Sequence, residues 1–78
     1  MDRYKNIDGD SGVYAYECGP NYIDVQFIST GKIYRYSYRS AGAENVEYMK
    51  ALAKSGNGLN AFINKYVRDR FEKGFGIA

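Results

Sequence analysis

Two alternating runs separated by three turn-forming residues constrain this chain more than any other feature. From Tyr22 to Ile28, Ile23, Val25 and Phe27 fall on one side and Asp24 and Gln26 on the other. From Lys32 to Tyr38, Tyr34, Tyr36 and Tyr38 alternate with Ile33, Arg35, Ser37 and Arg39. A period of two is that of a half-buried strand, whose side chains point alternately to opposite faces. Ser29-Thr30-Gly31 joins the runs as a hairpin loop, with glycine available for a left-handed position. Val13 to Glu17 supplies another short strand, and Cys18-Gly19-Pro20-Asn21 turns it into the next. The expectation is a three-stranded antiparallel meander.

The second half changes period. Ser40 to Gly42 reads as a break, and a helix is expected from Ala43 to Lys54, with Val46, Met49 and Ala53 at helical spacing and Leu52 beside them. Glu44 and Glu47 near its start and Lys50 and Lys54 near its end suit the helix dipole. Ser55-Gly56-Asn57-Gly58 ends it, and a second helix carries Leu59, Phe62, Ile63, Tyr66 and Val67 on one stripe, extended by Phe71. Gly56 to Ala61 matches a dinucleotide fingerprint as a string, but it follows a helix where that motif follows a strand, so it reads as a helix–helix turn. Amides at the start of the second helix are free on this reading to hold a phosphate. The expected fold class is therefore α+β: a three-stranded antiparallel β-meander with two α-helices packed on one face.

At 78 residues the chain holds one small domain. The polar start, residues 1–11, reads as a loose arm or a short edge strand, and residues 72–78 as a frayed tail. Asp8-Gly9-Asp10-Ser11-Gly12 hints at a calcium loop but lacks the closing Glu, and an acidic glycine-rich turn explains it as well. No run approaches the roughly 20 apolar residues of a membrane span, and no signal-peptide pattern is present. The expectation is a cytoplasmic protein without membrane contact. With no His and one Cys, imidazole acid–base chemistry, Ser–His and Cys–His nucleophiles, zinc sites and an internal disulfide are excluded. The carboxylates show no close pair on one predicted face that would suggest a glycosidase dyad, so no catalytic residue, metal or cofactor is assigned and a non-enzyme is expected.

Charge is unevenly spread along the chain. Residues 1–31 carry two basic and five acidic side chains, and residues 32–78 carry nine basic and four acidic ones, giving −3 and +5. A basic half is the footprint expected for an anionic partner, although a solvated surface has the same look. Lys32, Arg35 and Arg39 are interleaved with Tyr34, Tyr36 and Tyr38, and Arg68 and Arg70 follow on the second helix. Arginines with aromatics on a sheet can neutralise phosphates and stack bases. On an ideal strand the tyrosines oppose Arg35 and Arg39, so the tyrosine face is expected under the helices and the arginine face open.

Several segments follow one another in the order of the KTSC domain. They are Gly12-Val13-Tyr14-Ala15-Tyr16, Ile23 to Phe27, Gly31 to Tyr36, Val46 to Ser55, and Phe62-Ile63-Asn64-Lys65-Tyr66-Val67-Arg68-Asp69-Arg70-Phe71. The chain resembles that family from about Gly12 to Phe71. It departs from it between Arg39 and Ala43, where a Val-Pro pair is missing, and at a longer Ser55 to Asn60 turn. The family occurs after some lysyl-tRNA synthetases and as small standalone bacterial and phage proteins, so the resemblance implies association with RNA, tRNA included. It also singles out Tyr34, Tyr36, Asn64, Arg68 and Asp69, for which structural roles are the stronger expectation. The nucleic-acid site expected here is Lys32, Arg35, Arg39, Arg68, Arg70, Tyr34, Tyr36 and Asn64. The alternative is a protein-interaction module, such as a phage or mobile-element protein, that binds a host protein or itself through an open sheet face or edge.

Overall fold

The computed structural model describes residues 1–7 and 12–72. It is an α+β fold built on one antiparallel sheet of four strands in sequential order: β1 (Asp2–Arg3), β2 (Val13–Cys18), β3 (Tyr22–Phe27) and β4 (Ile33–Ser37). The expected count of three is corrected by β1, the edge-strand form of the N-terminal arm, which pairs Asp2 with Tyr16 and Arg3 with Ala15. The arm is held by more than this ladder. Tyr4 is buried, its hydroxyl accepts the Leu59 N–H at 3.2 Å, and the Ile7 N–H donates to the Gly56 carbonyl at 2.9 Å. The Leu59 amide, one of those expected to be free for a phosphate, is therefore occupied. The calcium-loop residues 8–11 lie outside the described residues, as does the tail from 73 onward.

The β3–β4 hairpin follows the alternation. Val25 faces Tyr34 and Ile23 faces Tyr36 across the pair, and Gly31 takes the left-handed backbone of the loop at φ 70°. A bulge between Val13 and Ala15 lets Val13 turn inward opposite Phe27 while Tyr14 points out to solvent.

β4 stops earlier than its alternation suggests. Ser37 and Ser40 close a reciprocal capping box, each side-chain hydroxyl accepting the other's backbone N–H, and a short helix α1 (Tyr38–Ala41) replaces the expected break. Tyr38 and Arg39 are thus helical and leave the sheet. Gly42, at φ 95°, separates α1 from α2 (Ala43–Ser55), an angle at which a side chain is strained. No helix among the described residues is long and apolar enough to cross a membrane.

The second helix begins as α3 (Leu59–Phe62) and widens into a π-helical turn over Ile63–Val67. Because a π turn takes more residues than an α turn, positions four apart stay nearly in line. Leu59, Ile63 and Val67 accordingly face the core, while Tyr66, expected on the same stripe, is 53% exposed.

The core lies between one sheet face and the helices. Tyr16, Ile23, Val25 and Tyr36 come from the sheet, and Val46, Met49, Ala53, Leu59, Ile63 and Val67 from above it. The other sheet face is polar. There Arg35 makes a two-point pair with Asp24, Nε to Oδ1 at 2.8 Å and Nη2 to Oδ2 at 3.1 Å, and its guanidinium lies 3.9 Å from the centre of the Tyr22 ring.

Candidate functional site

The residues that converge do so around the C-terminal turn, 68–72. Leaving the π turn, the chain runs past the outer edge of β4, where the Glu72 N–H donates to the Arg35 carbonyl at 2.7 Å and the Glu72 carboxylate accepts the Ser37 hydroxyl. Glu72, assigned to a frayed tail from sequence, is docked. It covers part of an otherwise open sheet edge and places a carboxylate at the start of α1, where the helix dipole favours one.

This docking drives Phe71 against the sheet's aromatics. Its ring centre lies 4.8 Å from that of Tyr34 and 6.2 Å from that of Tyr36, and Tyr34 meets Phe27 edge-on at 5.7 Å. The offset and tilted geometries are those aromatic quadrupoles prefer. The rings do not close over one another completely. A cavity of about 270 Å³ remains, walled by Phe27, Tyr34, Tyr36 and Phe71 and rimmed by Arg68 and Asp69. Ser29 and Thr30 of the hairpin loop also line it, three and two residues before exposed Lys32.

A second, broader cleft of about 550 Å³ opens on the other side of the same turn, lined by Arg39, Ser40, Asp69, Arg70, Phe71 and Glu72. The two hollows share Asp69 and Phe71. Along them stand the exposed cations Arg68, Arg70 and Arg39, the last carried there by α1.

Tyr36 is the buried member of the set at 2% exposure. Burial, with Tyr34 and Asp69 nearby as smaller contributions, pushes its phenol up to about 12 from an ordinary 10. It stays neutral through the physiological range and offers a wall with no charge. Tyr34 is half-buried.

The remaining expected residues sit elsewhere. Arg35 is on the opposite sheet face, its pKa raised chiefly by its hydrogen bond to Asp24, and its charge is already matched. It therefore does not share a surface with Arg39, as the interleaved strand pattern suggested. Asn64 is exposed on the outer side of the π turn. Phe27 and Phe71 complete the cavity and were not among the expected site residues. Both read as core from their periodicity, and that reading contained no signal that their packing leaves a hollow.

The tyrosines occupy different environments, with Tyr22 and Tyr34 half-buried. Tyr4, Tyr16 and Tyr36 are buried, whereas Tyr14, Tyr38, Tyr48 and Tyr66 are exposed. Tyr38 donates to the Glu47 carboxylate, which also accepts Lys50 Nζ at 2.8 Å, and Lys50 reaches the Gly19 carbonyl at 2.7 Å. This chain of bonds ties α1 and α2 to the β2–β3 turn. It explains the lowered pKa of Glu47, held down first by Lys50 and then by Tyr38.

What the arrangement can do chemically is bind. A hollow with aromatic walls, a donor and an acceptor among its lining residues, and guanidinium groups beyond them suits a planar polar ligand attached to an anion. No family model, curated protein or solved structure matches the chain.

Proposed function

We propose that the protein is a small non-enzymatic nucleic-acid-binding module, with RNA the expected ligand. The observation that carries this reading is the joining of two hollows at Asp69 and Phe71, aromatic on one side and flanked by Arg39 and Arg70 on the other. A base entering the smaller hollow packs against Tyr34 and Phe71, and Arg68 and Asp69 at the rim meet its polar edge. Arg39, Arg68, Arg70 and Lys32 contact phosphates. Guanidinium groups suit that task because they are always charged and can meet two phosphate oxygens at once. The resemblance of the chain's segment order to the KTSC domain is in keeping with this reading. Arg35 is assigned a structural role here, since using it for phosphate would strand Asp24, which is 7% exposed.

Fluorescence polarisation of a labelled RNA hairpin, a single-stranded RNA and a single-stranded DNA at several salt concentrations tests this. Four phosphate contacts predict a log–log salt slope of about −3 to −4, at roughly 0.7–0.9 per contact. Absence of binding at low salt contradicts the proposal, and it returns weight to a protein partner.

A further inference from the structure

Another groove, of about 360 Å³, lies between α2 and α3, on the flank of the second helix away from the aromatic cavity. Tyr48, Leu52, Ala61, Phe62, Lys65 and Tyr66 line it. Three rings follow one another along it, with Tyr48 and Phe62 centres 5.0 Å apart and Phe62 and Tyr66 centres 4.9 Å apart. Both tyrosines are more than half exposed, at 55% and 53%. Lys65 Nζ stands 5.3 Å from the Tyr66 ring centre. Phe62 itself is half-buried against the core, so the exposed part of the row is the two tyrosines, and exposed rings clustered in this way mark an interaction site.

The helix between the two hollows gives each a cation from its outer side: Lys65 to this groove and Arg68 to the cavity at Phe71. We infer that the groove is a second base-stacking site, and that the ligand is a single strand crossing over this helix with its phosphates at Lys65 and Arg68. This inference rests on the nucleic-acid reading and adds the class of nucleic acid. The charge is complementary on the ridge, where Lys65 and Arg68 are both exposed cations, and among the described residues Asp69 is the one acid that lines either hollow. Bases seated on both flanks of one helix favour a single strand over a stacked duplex. A helix with its side chains is about 10–12 Å across, whereas neighbouring stacked bases are about 3.4 Å apart. Bases occupying both flanks must be splayed, which paired strands do not allow. Aromatic stacking is also tolerant of base identity, so weak sequence preference follows.

The test compares a short labelled oligo-uridylate with a blunt RNA duplex of the same length, using the wild type, Tyr48→Leu, Tyr66→Leu, Tyr66→Phe and an Arg39→Ala/Arg70→Ala variant. Circular dichroism melts check that each variant is folded. The expected result is preference for the oligo-uridylate, a loss of about tenfold for each Leu variant, and near wild-type binding by Tyr66→Phe, since stacking needs the ring and not the hydroxyl. Unchanged oligo-uridylate affinity in both Leu variants overturns the inference. If Arg39→Ala/Arg70→Ala still weakens binding in that case, the nucleic-acid reading stands without this groove. If the wild type binds neither ligand at low salt, both readings fall. A wild-type dimer in sedimentation that Tyr66→Leu dissolves also overturns the inference, by giving the groove to a second copy of the chain.

Discussion

Arg35 and Arg39 are four residues apart in the sequence and belong to the same interleaved basic and aromatic run, yet they occupy different environments. Arg35 lies on the polar sheet face, bonded twice to Asp24 and resting on Tyr22. Arg39 is exposed beside Arg70 at the C-terminal turn. The difference arises at Ser37, where a capping box ends the strand and starts α1. A strand would have kept both arginines on one face, and a single helix start separates them. Charge in a sequence thus becomes a binding surface only where the fold leaves it unmatched.

The largest effect that sharpens this contrast is on stability. Removing the Arg35 side chain leaves the Asp24 carboxylate, on a side chain 10% exposed, without its guanidinium. The Arg35 side chain is 33% exposed, so solvent softens the loss. Arg35→Ala is expected to cost about 2 kcal/mol in urea unfolding, while Arg39→Ala and Arg70→Ala each stay within about 0.5 kcal/mol of the wild type. Equal effects at the three positions would erase the distinction.

Alkaline titration probes the core side of the same strand. The Tyr36 phenol is raised to about 12 in the folded protein, so it favours folding fully below its unfolded pKa of 10 and loses that contribution as pH rises toward 12. Between pH 10 and 12 the wild type is expected to lose about 2 kcal/mol more stability than Tyr36→Phe. Parallel pH profiles of the two proteins would show that Tyr36 is not the buried phenol of this account.

Smaller effects follow from the two points that fix the strand ends. Ser37→Ala removes the hydroxyl that accepts the Ser40 N–H and reaches Glu72. A loss of about 1 kcal/mol is expected, together with faster hydrogen exchange at the Glu72 amide. Tyr4→Phe removes the acceptor of the Leu59 N–H and is expected to cost about 1 kcal/mol as well, read by thermal melts. No loss in the second case would mean that the N-terminal arm contributes only its buried ring.

Much of the fold was legible in local pattern. The β3–β4 hairpin and α2 lie where the periods of two and of about four place them, because each buries one face against a common core. What escaped depends on contacts between distant residues. β1 has only Asp2 and Arg3, too short for a period, and its segment is secured by Tyr4 reaching the start of α3. The exposure of Tyr66 comes from a π turn, which helical periodicity does not encode. The end of β4 was readable in principle, since serines three apart at Ser37 and Ser40 form a cap, but the alternation running through Arg39 outweighed that signal. For the candidate site, the sequence supplied Tyr34, Tyr36, Arg39, Arg68 and Arg70 as components. It did not supply the two hollows at the C-terminal turn, which exist because Phe71 folds back onto β4, nor the row of rings in which exposed Tyr48 meets half-buried Phe62.

The most direct test of this account is the salt dependence of RNA binding by two variants measured side by side, Arg39→Ala/Arg68→Ala/Arg70→Ala and Arg35→Ala. Loss of three phosphate contacts is expected to flatten the log–log salt slope by about 2 to 3, while Arg35→Ala keeps the wild-type slope despite its lower stability. A slope that flattens with Arg35→Ala and is unchanged in the triple variant would move the binding surface to the opposite face of the sheet and contradict the assignment.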